Sequence, residues 1–344
     1  MKKSIVFRIA LVVMAVIVMS GCRAKSDPES DFEARAIDGG RGVEITDYLG
    51  SKWEVRIPRQ IRKIPVTHIG YEAFQRKTLV SVTIPNSVTI IGGRAFARNQ
   101  LTSVTIPNSV TIIGDSAFGN NQLSSITIPD SVTYLSGFDE NQLTSVTIPH
   151  SVTSIGIRAF YGNRLTSATI PNSITSIDDG AFGYNQLSSV TIPDSVTYIG
   201  DRAFGNNQLS SITIPDSVTY LSGFDGNQLT SVTIPDSVTS IGISAFYRNQ
   251  LTSVIIPNSV TSIGNGAFNV NQLSSITIPN SVTIDSAAFW NNDQLVRITI
   301  GSGVIMARRA EAPFLTPFSD FYYNTGGRAG TYSWNGRNWS FSGQ

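Results

Sequence analysis

The 344-residue chain has one cysteine and two histidines, and charged residues make up only 14% of it. A single cysteine excludes a disulfide framework within the chain. The histidines, His68 and His150, stand far apart with no nucleophile signature beside either, so no acid–base or nucleophilic pair is assembled from them. Phosphate-loop, zinc-ligand and dinucleotide-binding spacings are all missing. No catalytic residue, metal site or cofactor is therefore assigned. The formal net charge is +1 and no Lys/Arg block occurs, which removes the electrostatic footprint of nucleic-acid binding.

The one long apolar stretch lies at the start. Lys2, Lys3 and Arg8 lead into Ile9–Met19, which ends in Ser20-Gly21-Cys22. A basic start, a short apolar core and small residues before a cut describe a secretory leader. The core is shorter than the roughly 20 apolar residues of a comfortable membrane span. Ser20-Gly21-Cys22 resembles a bacterial lipobox, with Met19 where Leu is commoner. That resemblance implies cleavage before Cys22, acylation of Cys22, and attachment to a membrane through the lipid. The competing reading is an ordinary leader with a chance cysteine nearby. The division expected is a leader at 1–21, a polar tether at 22–40, a repeat region at 41–311 and a C-terminal element at 312–344.

The repeat region is dominated by Ile-Pro, with Pro at 85, 107, 129, 149, 171, 193, 215, 235, 257 and 279, in steps of 22 or 20. About twelve units result. In the unit from Leu101 to Gln122, apolar Val104 and Ile106 alternate with Ser103 and Thr105, which predicts a short strand. Pro107 ends it and Asn108-Ser109 supplies turn chemistry. Val110 to Ile113 is a second extended piece, broken by Gly114. Ala117-Phe118 opens a turn, or a single helical turn, that returns the chain to Leu123. No unit can bury its apolar side alone, so the units must stack. Stacking makes columns of Phe (Phe74 to Phe289) and of Asn (Asn99 to Asn271), the latter expected to tie coil to coil through backbone bonds. Two units are shorter by two residues, lost before Phe138 and Phe224. From Phe118 and from Phe204 the chain reads almost identically for about 80 residues, the mark of a duplicated 86-residue, four-unit block.

Units of the form L-T-S-V-T-I-P-x-S-V-T-S-I-G-x-x-A-F-x-x-N resemble the BspA-like, or Treponema pallidum-type, leucine-rich repeat, over roughly Val43 to Met306. Ile45-Thr46-Asp47-Tyr48, Val55-Arg56-Ile57-Pro58 and Pro65-Val66-Thr67-His68-Ile69-Gly70 resemble that family's opening unit. Many members have Cys where this chain has its Asn column. The resemblance implies a mainly β, curved leucine-rich-repeat solenoid with a parallel sheet on one side. It also implies a cell-envelope location, at the outer membrane or cell surface, and adhesion to host matrix proteins or other bacteria. The function expected is thus an adhesin-like module that binds a protein or glycan. The alternatives are a structural envelope protein without a specific ligand, and a binding protein on the periplasmic side.

Three surfaces could carry binding. The Ser/Thr columns of the first strand (Ser103/Thr105, Ser125/Thr127, Ser145/Thr147, Ser189/Thr191, Ser211/Thr213 and Ser231/Thr233) should form a flat, hydroxyl-rich sheet face. Thr also simply favours strands, which needs no ligand. Tyr134, Tyr198 and Tyr220 share a slot on the second strand, and Asp194, Asp216 and Asp236 share one in the turn, where turn chemistry accounts for them. In the tail, Tyr332/Trp334 and Trp339/Phe341 alternate around Asn335-Gly336, a hairpin signal that would put four aromatics on one face. They fit a cap over the last coil, or an aromatic platform for a sugar or peptide.

Overall fold

A computed structural model describes residues 25–285, 287–306, 322, 324 and 326–343. The leader at 1–21, the acylation residue Cys22 and positions 307–321, where the repeats give way to the tail, lie outside the described residues.

The chain winds into a spiral of coils, each with two extended segments and a return made of turns. The unit beginning at Leu101 shows how. Leu101, Val110, Ile113, Ala117 and Phe118 are fully buried, and Ile106 almost so. After Pro107 the Val110 N–H closes a β-turn on the Pro107 carbonyl at 3.0 Å. The second segment then pairs in parallel with its neighbours, Ile90–Ile91 with Ile112–Ile113 and that with Tyr134–Leu135. Repeated along the molecule, this second segment supplies twelve strands of one sheet, which with three N-terminal strands has 15 among the described residues and ends at Ile305–Met306. Gly114 follows the strand because a Cβ there would lie 2.7 Å from the Gly93 nitrogen of the coil below.

The return side holds no helical turn. Each coil instead places two residues in the left-handed region, such as Ser116 (φ 51) and Asn120 (φ 56) in one coil and Arg94 (φ 54) and Arg98 (φ 58) in another. This geometry aims alternate N–H groups at the next coil. Arg94, Phe96 and Arg98 donate to the carbonyls of Asp115, Ala117 and Gly119 at 2.7–2.8 Å. The return turns are thus a second hydrogen-bonded ladder.

Both predicted columns are present. The Phe rings run from Phe74 to Phe289 with neighbouring centroids 5.0–5.9 Å apart and near-parallel planes, and Tyr48 and Phe32 extend the stack at its N-terminal end. Each buried Asn bridges two coils: Asn163 donates to the Phe138 and Phe160 carbonyls at 2.8 and 3.1 Å and accepts the Leu143 N–H at 3.0 Å. Asn292 continues the column after Asn271; a one-residue deletion and insertion around Phe289 hide its register in the sequence.

The ends depart from the repeat. The tether expected to run to Gly40 is ordered from Glu29 onward. Strand Phe32–Ile37 pairs antiparallel with strand Gly42–Tyr48, and Phe32 seats on Tyr48 and Phe74. Glu33 and Arg35, within the expected tether, belong to a strand whose other face carries Phe32 and covers the first ring of the column. Asp27 anchors the approach. Its buried carboxylate accepts Lys52 Nζ at 2.5 Å and the Arg56 N–H at 2.7 Å. Burial pushes its pKa upward, but these donors together hold it below the ordinary value. At the other end, strands Gly330–Trp334 and Trp339–Gly343 form the predicted hairpin around Asn335–Asn338 and add antiparallel to strand Arg297–Ile300.

Two substitutions test this account. Asn163→Ala leaves the Leu143 N–H buried without a partner and takes one of two amide donors from each of the Phe138 and Phe160 carbonyls, which keep Asn141 and Asn185. It should cost about 2–4 kcal/mol of stability and speed exchange of the Leu143 amide, while the exposed turn substitution Asn172→Ala changes stability by less than about 0.5 kcal/mol. Val270, a β-branched residue held at φ 55 where Asn120, Asn206 and Asn291 stand in other coils, is strained. Val270→Asn should stabilise by about 1 kcal/mol, read as a higher denaturation midpoint.

Candidate functional site

All twelve Ser/Thr positions of the first segment (Ser103, Thr105, Ser125, Thr127, Ser145, Thr147, Ser189, Thr191, Ser211, Thr213, Ser231 and Thr233) are solvent-exposed. They do not lie on one unbroken sheet. The first segment is laddered between Ser145–Thr147 and Ser167–Thr169 and between Ser231–Thr233 and Ser253–Ile255. It runs extended but unladdered at 103–105, 125–127, 189–191 and 211–213. Inward burial follows the same division: Val146 and Val232 are buried, whereas Val104, Ile126, Val190 and Ile212 are only partly so. The pattern repeats with the 86-residue block. Ile255 interrupts the hydroxyl row with an apolar side chain that is 82% exposed.

A different set of hydroxyls proves to be structural. In the Ser-Val-Thr run after each turn, Ser109 Oγ donates to the Val88 carbonyl of the preceding coil at 2.6 Å. Ser131, Ser173, Ser195 and Ser217 do the same at their own levels. The Thr two residues on donates both its N–H and its hydroxyl to the Thr carbonyl below: Thr111 to Thr89 at 2.8 and 3.2 Å, and likewise Thr133, Thr197, Thr219 and Thr261. These ladders were not recognised in the sequence. The signal was available: Ser and Thr keep these slots from coil to coil while the residues around them change.

The outward slot of the continuous sheet varies from coil to coil. In register it carries His68, Ile90, Ile112, Tyr134, Ser154, Ser176, Tyr198, Tyr220, Ser240, Ser262 and Thr283. Tyr198 and Tyr220 stack at 5.1 Å with planes 15° apart. Tyr134 donates to Asp115 Oδ1 at 2.9 Å and Tyr220 to Asp201 Oδ1 at 3.3 Å. Ser154 and Ser176 lie within hydrogen-bond reach of each other at 3.4 Å, between the flanking tyrosines. Burial, then the hydrogen-bonded Asp115 carboxylate, pushes Tyr134 up to about 12. Burial and the Asp201 carboxylate do the same for Tyr220, also to about 12. Asp178 is raised by burial and by Asp179 beside it. Aromatic faces, hydroxyls and carboxylate acceptors at one level of the sheet can stack on and hydrogen-bond a hydroxylated ligand.

The other expected positions separate. Asp194, Asp216 and Asp236 are exposed in their turns. Among the described residues no group of three His, Cys, Asp or Glu side chains is placed to hold a metal ion. In the C-terminal hairpin Tyr332 pairs with Phe341 and Trp334 with Trp339, so the four aromatics do share a face. That face is turned against the protein: Tyr332 is fully buried with its hydroxyl on the Arg328 carbonyl at 2.7 Å, and Trp339 and Phe341 pack on the core. Tyr332 has no surface left for a ligand to stack on, whereas Trp334, Trp339 and Phe341 are half-buried.

Compared with known proteins, the chain matches the BspA type leucine rich repeat region in six copies, over residues 67–138, 136–223 and 220–309. It is similar in structure to a leucine rich cell surface protein from Faecalibacterium prausnitzii (25% identity, 83% of this chain and 96% of that one, TM-score 0.54). It is also similar to a leucine-rich repeat protein from Bacteroides ovatus (25% identity, 80% and 88%, TM-score 0.50). A Treponema pallidum leucine rich repeat protein aligns over 79% of this chain and 91% of its own, at 21% identity and a TM-score of 0.26. A comparison with curated proteins finds no match.

The tyrosine–carboxylate pairs give a titration prediction. A phenol whose folded pKa lies above its unfolded value contributes stability that is complete below about 10 and is lost as pH rises through about 12. Tyrosinate absorbance should therefore show Tyr134 and Tyr220 ionising last. Asp115→Asn should bring Tyr134 down toward the ordinary range and leave Tyr220 in place; equal movement of both would contradict the assignment.

Proposed function

The chain belongs to the BspA-type leucine-rich-repeat family, and from that membership we propose that it is a lipid-anchored protein of the cell surface whose repeat face binds a protein or glycan partner as an adhesin does. The family and fold are a repeat scaffold used for binding rather than catalysis, and the Faecalibacterium protein it resembles is described as a cell surface protein. One observation carries the reading. Positions that hold the spiral together (Phe, Asn, Leu, Ser and Thr of the ladders) recur from coil to coil, whereas the outward slot of the continuous sheet alternates between Ile, Tyr and Ser. A scaffold without a ligand has no use for such differentiation. The exposed Ser/Thr rows beside it offer many equivalent weak contacts, whose effect multiplies when a repetitive partner engages several coils at once. Acylation at Cys22 would hold this surface at the membrane.

Two experiments test the proposal. Cells fed labelled palmitate should label the wild-type protein and not Cys22→Ser, and protease added to intact cells should remove the repeat region. A labelled protein that resists protease would place it on the periplasmic side instead. Purified mature protein should bind immobilised matrix protein or a glycan array. Binding should fall at least about tenfold, roughly 1.4 kcal/mol, when Thr147, Thr191 and Thr233 become Lys or when Tyr134, Tyr198 and Tyr220 become Ala. No binding to either support, or binding unchanged in both variants, would overturn the adhesin reading.

A further inference from the structure

The shortened coils do more than vary the repeat. Deleting two residues before Phe138 removes an N–H that would have reached the next coil, and the Ser136 hydroxyl takes its place on the Ile157 carbonyl at 3.2 Å. Gly137, at φ 99, passes so close to Gly114 and Ala117 that any Cβ would collide with their backbone. The coil therefore cuts inward and leaves a notch on the return side. The notch is a cavity of about 330 Å³ lined by Glu72, Arg76, Arg94, Arg98, Ser116, Asn120, Asp139 and Arg158, with Gln75 and Ala97. Ala97 is its only apolar lining residue. Asp139 forms part of the wall: it is buried to 9% exposure, and its Oδ1 has no hydrogen-bond partner within the protein.

Four guanidinium groups face two carboxyl groups there. Arg94 is held in place by Tyr71 Oη at 3.0 Å and Glu72 Oε1 at 3.2 Å, and Arg158 by the Tyr161 ring, 4.0 Å from its centroid. Guanidinium forks bind carboxylate, phosphate and sulfate oxygens in pairs. The surplus of positive charge calls for an anion. The Ser116 hydroxyl and the Asn120 amide, both in the lining, call for hydroxyl groups on the same molecule. A volume near the small end of ligand pockets, ~300–1,000 Å³, admits one small polar ligand and no apolar one.

The chain supplies its own control. The duplicated block places Asp225 in a similar setting, short coil and unpartnered Oδ1 included, with Ser222 on the Ile243 carbonyl at 3.3 Å and Arg202 where Ser116 stands in the first copy. Yet 86 residues on from Arg94, Arg98 and Arg158 stand Gly180, Tyr184 and Ser244. All six adopt the left-handed conformation, at φ 54–66. The short coil folds without these three arginines, so they are not there to build it.

We propose that the notch over Asp139 binds a small hydroxylated oxyanion, a sugar carrying a carboxylate, phosphate or sulfate, through Arg76, Arg94, Arg98 and Arg158. This site lies on the return side and is independent of the binding face proposed above. Calorimetric titration of the mature chain with a hexuronate, a hexose phosphate and a hexose sulfate distinguishes the three anions. Neutral hexose and inorganic phosphate serve as references. At least one anionic sugar should bind, weakening as salt is raised, with neutral hexose not binding and inorganic phosphate at least about tenfold weaker. Replacing Arg94→Gly, Arg98→Tyr and Arg158→Ser together installs the residues of the second copy. This should weaken binding at least about tenfold with an unchanged melting temperature. Arg98→Tyr alone serves if the triple variant is unstable. Absence of binding by all three sugars, equal binding by the variants, or inorganic phosphate binding as tightly as the sugars would each overturn the proposal.

Discussion

A chain that turns back on itself within a few residues leaves carbonyls pointing inward, and here the buried asparagine amide answers them. Its two N–H bonds take the phenylalanine carbonyls of two successive coils, and its oxygen takes a leucine N–H from the coil below. An inward carbonyl without such a donor would cost about 1–3 kcal/mol in every coil. The amide also fixes coil spacing and rotation together, which is why the rings beneath it stack with planes mostly within about 20° of parallel. The threonine and serine ladders and the left-handed return turns all work at the separation this bridge sets.

Much of this was legible before any coordinates. Phenylalanine and asparagine recur at fixed intervals because side chains buried in a column cannot drift, and Asn335-Gly336 between alternating aromatics is strong turn chemistry. Three features were less legible, each for a physical reason. Both extended segments contain alternating Ser, Thr and Val, so nothing in local pattern says which one carries the continuous ladder; that depends on how closely successive coils approach on each side. The strand Phe32–Ile37 carries charge on one face and offers little apolar signal beyond Phe32, so it reads as tether although it pairs with Gly42–Tyr48. The notch at Asp139 arises from what two coils lack, and a deletion announces a cavity only once the neighbouring arginines are seen to converge on it.

Scaffold and variable surface are separated within each unit. Residues bonded from coil to coil repeat, residues facing outward diverge, and the shortened coils add local relief to an otherwise regular spiral. Divergence is possible at those outward positions because their ladder pairing uses backbone groups; a Tyr, Ser or Ile there leaves the core and its backbone pairing untouched. The two copies of the four-coil block illustrate it, sharing Ser136 and Ser222, Gly137 and Gly223, Asp139 and Asp225, while the arginines of one are replaced in the other.

That block has a consequence for the gene as well as for the protein. Its 86 residues begin and end at the same point of a coil, so every ladder that leaves one copy can enter the next without a break in register. Unequal recombination between the copies would lengthen or shorten the spiral by four whole coils at a stroke, with both terminal closures retained. The length of the spiral is therefore free to change in discrete steps, each length folding by the same contacts.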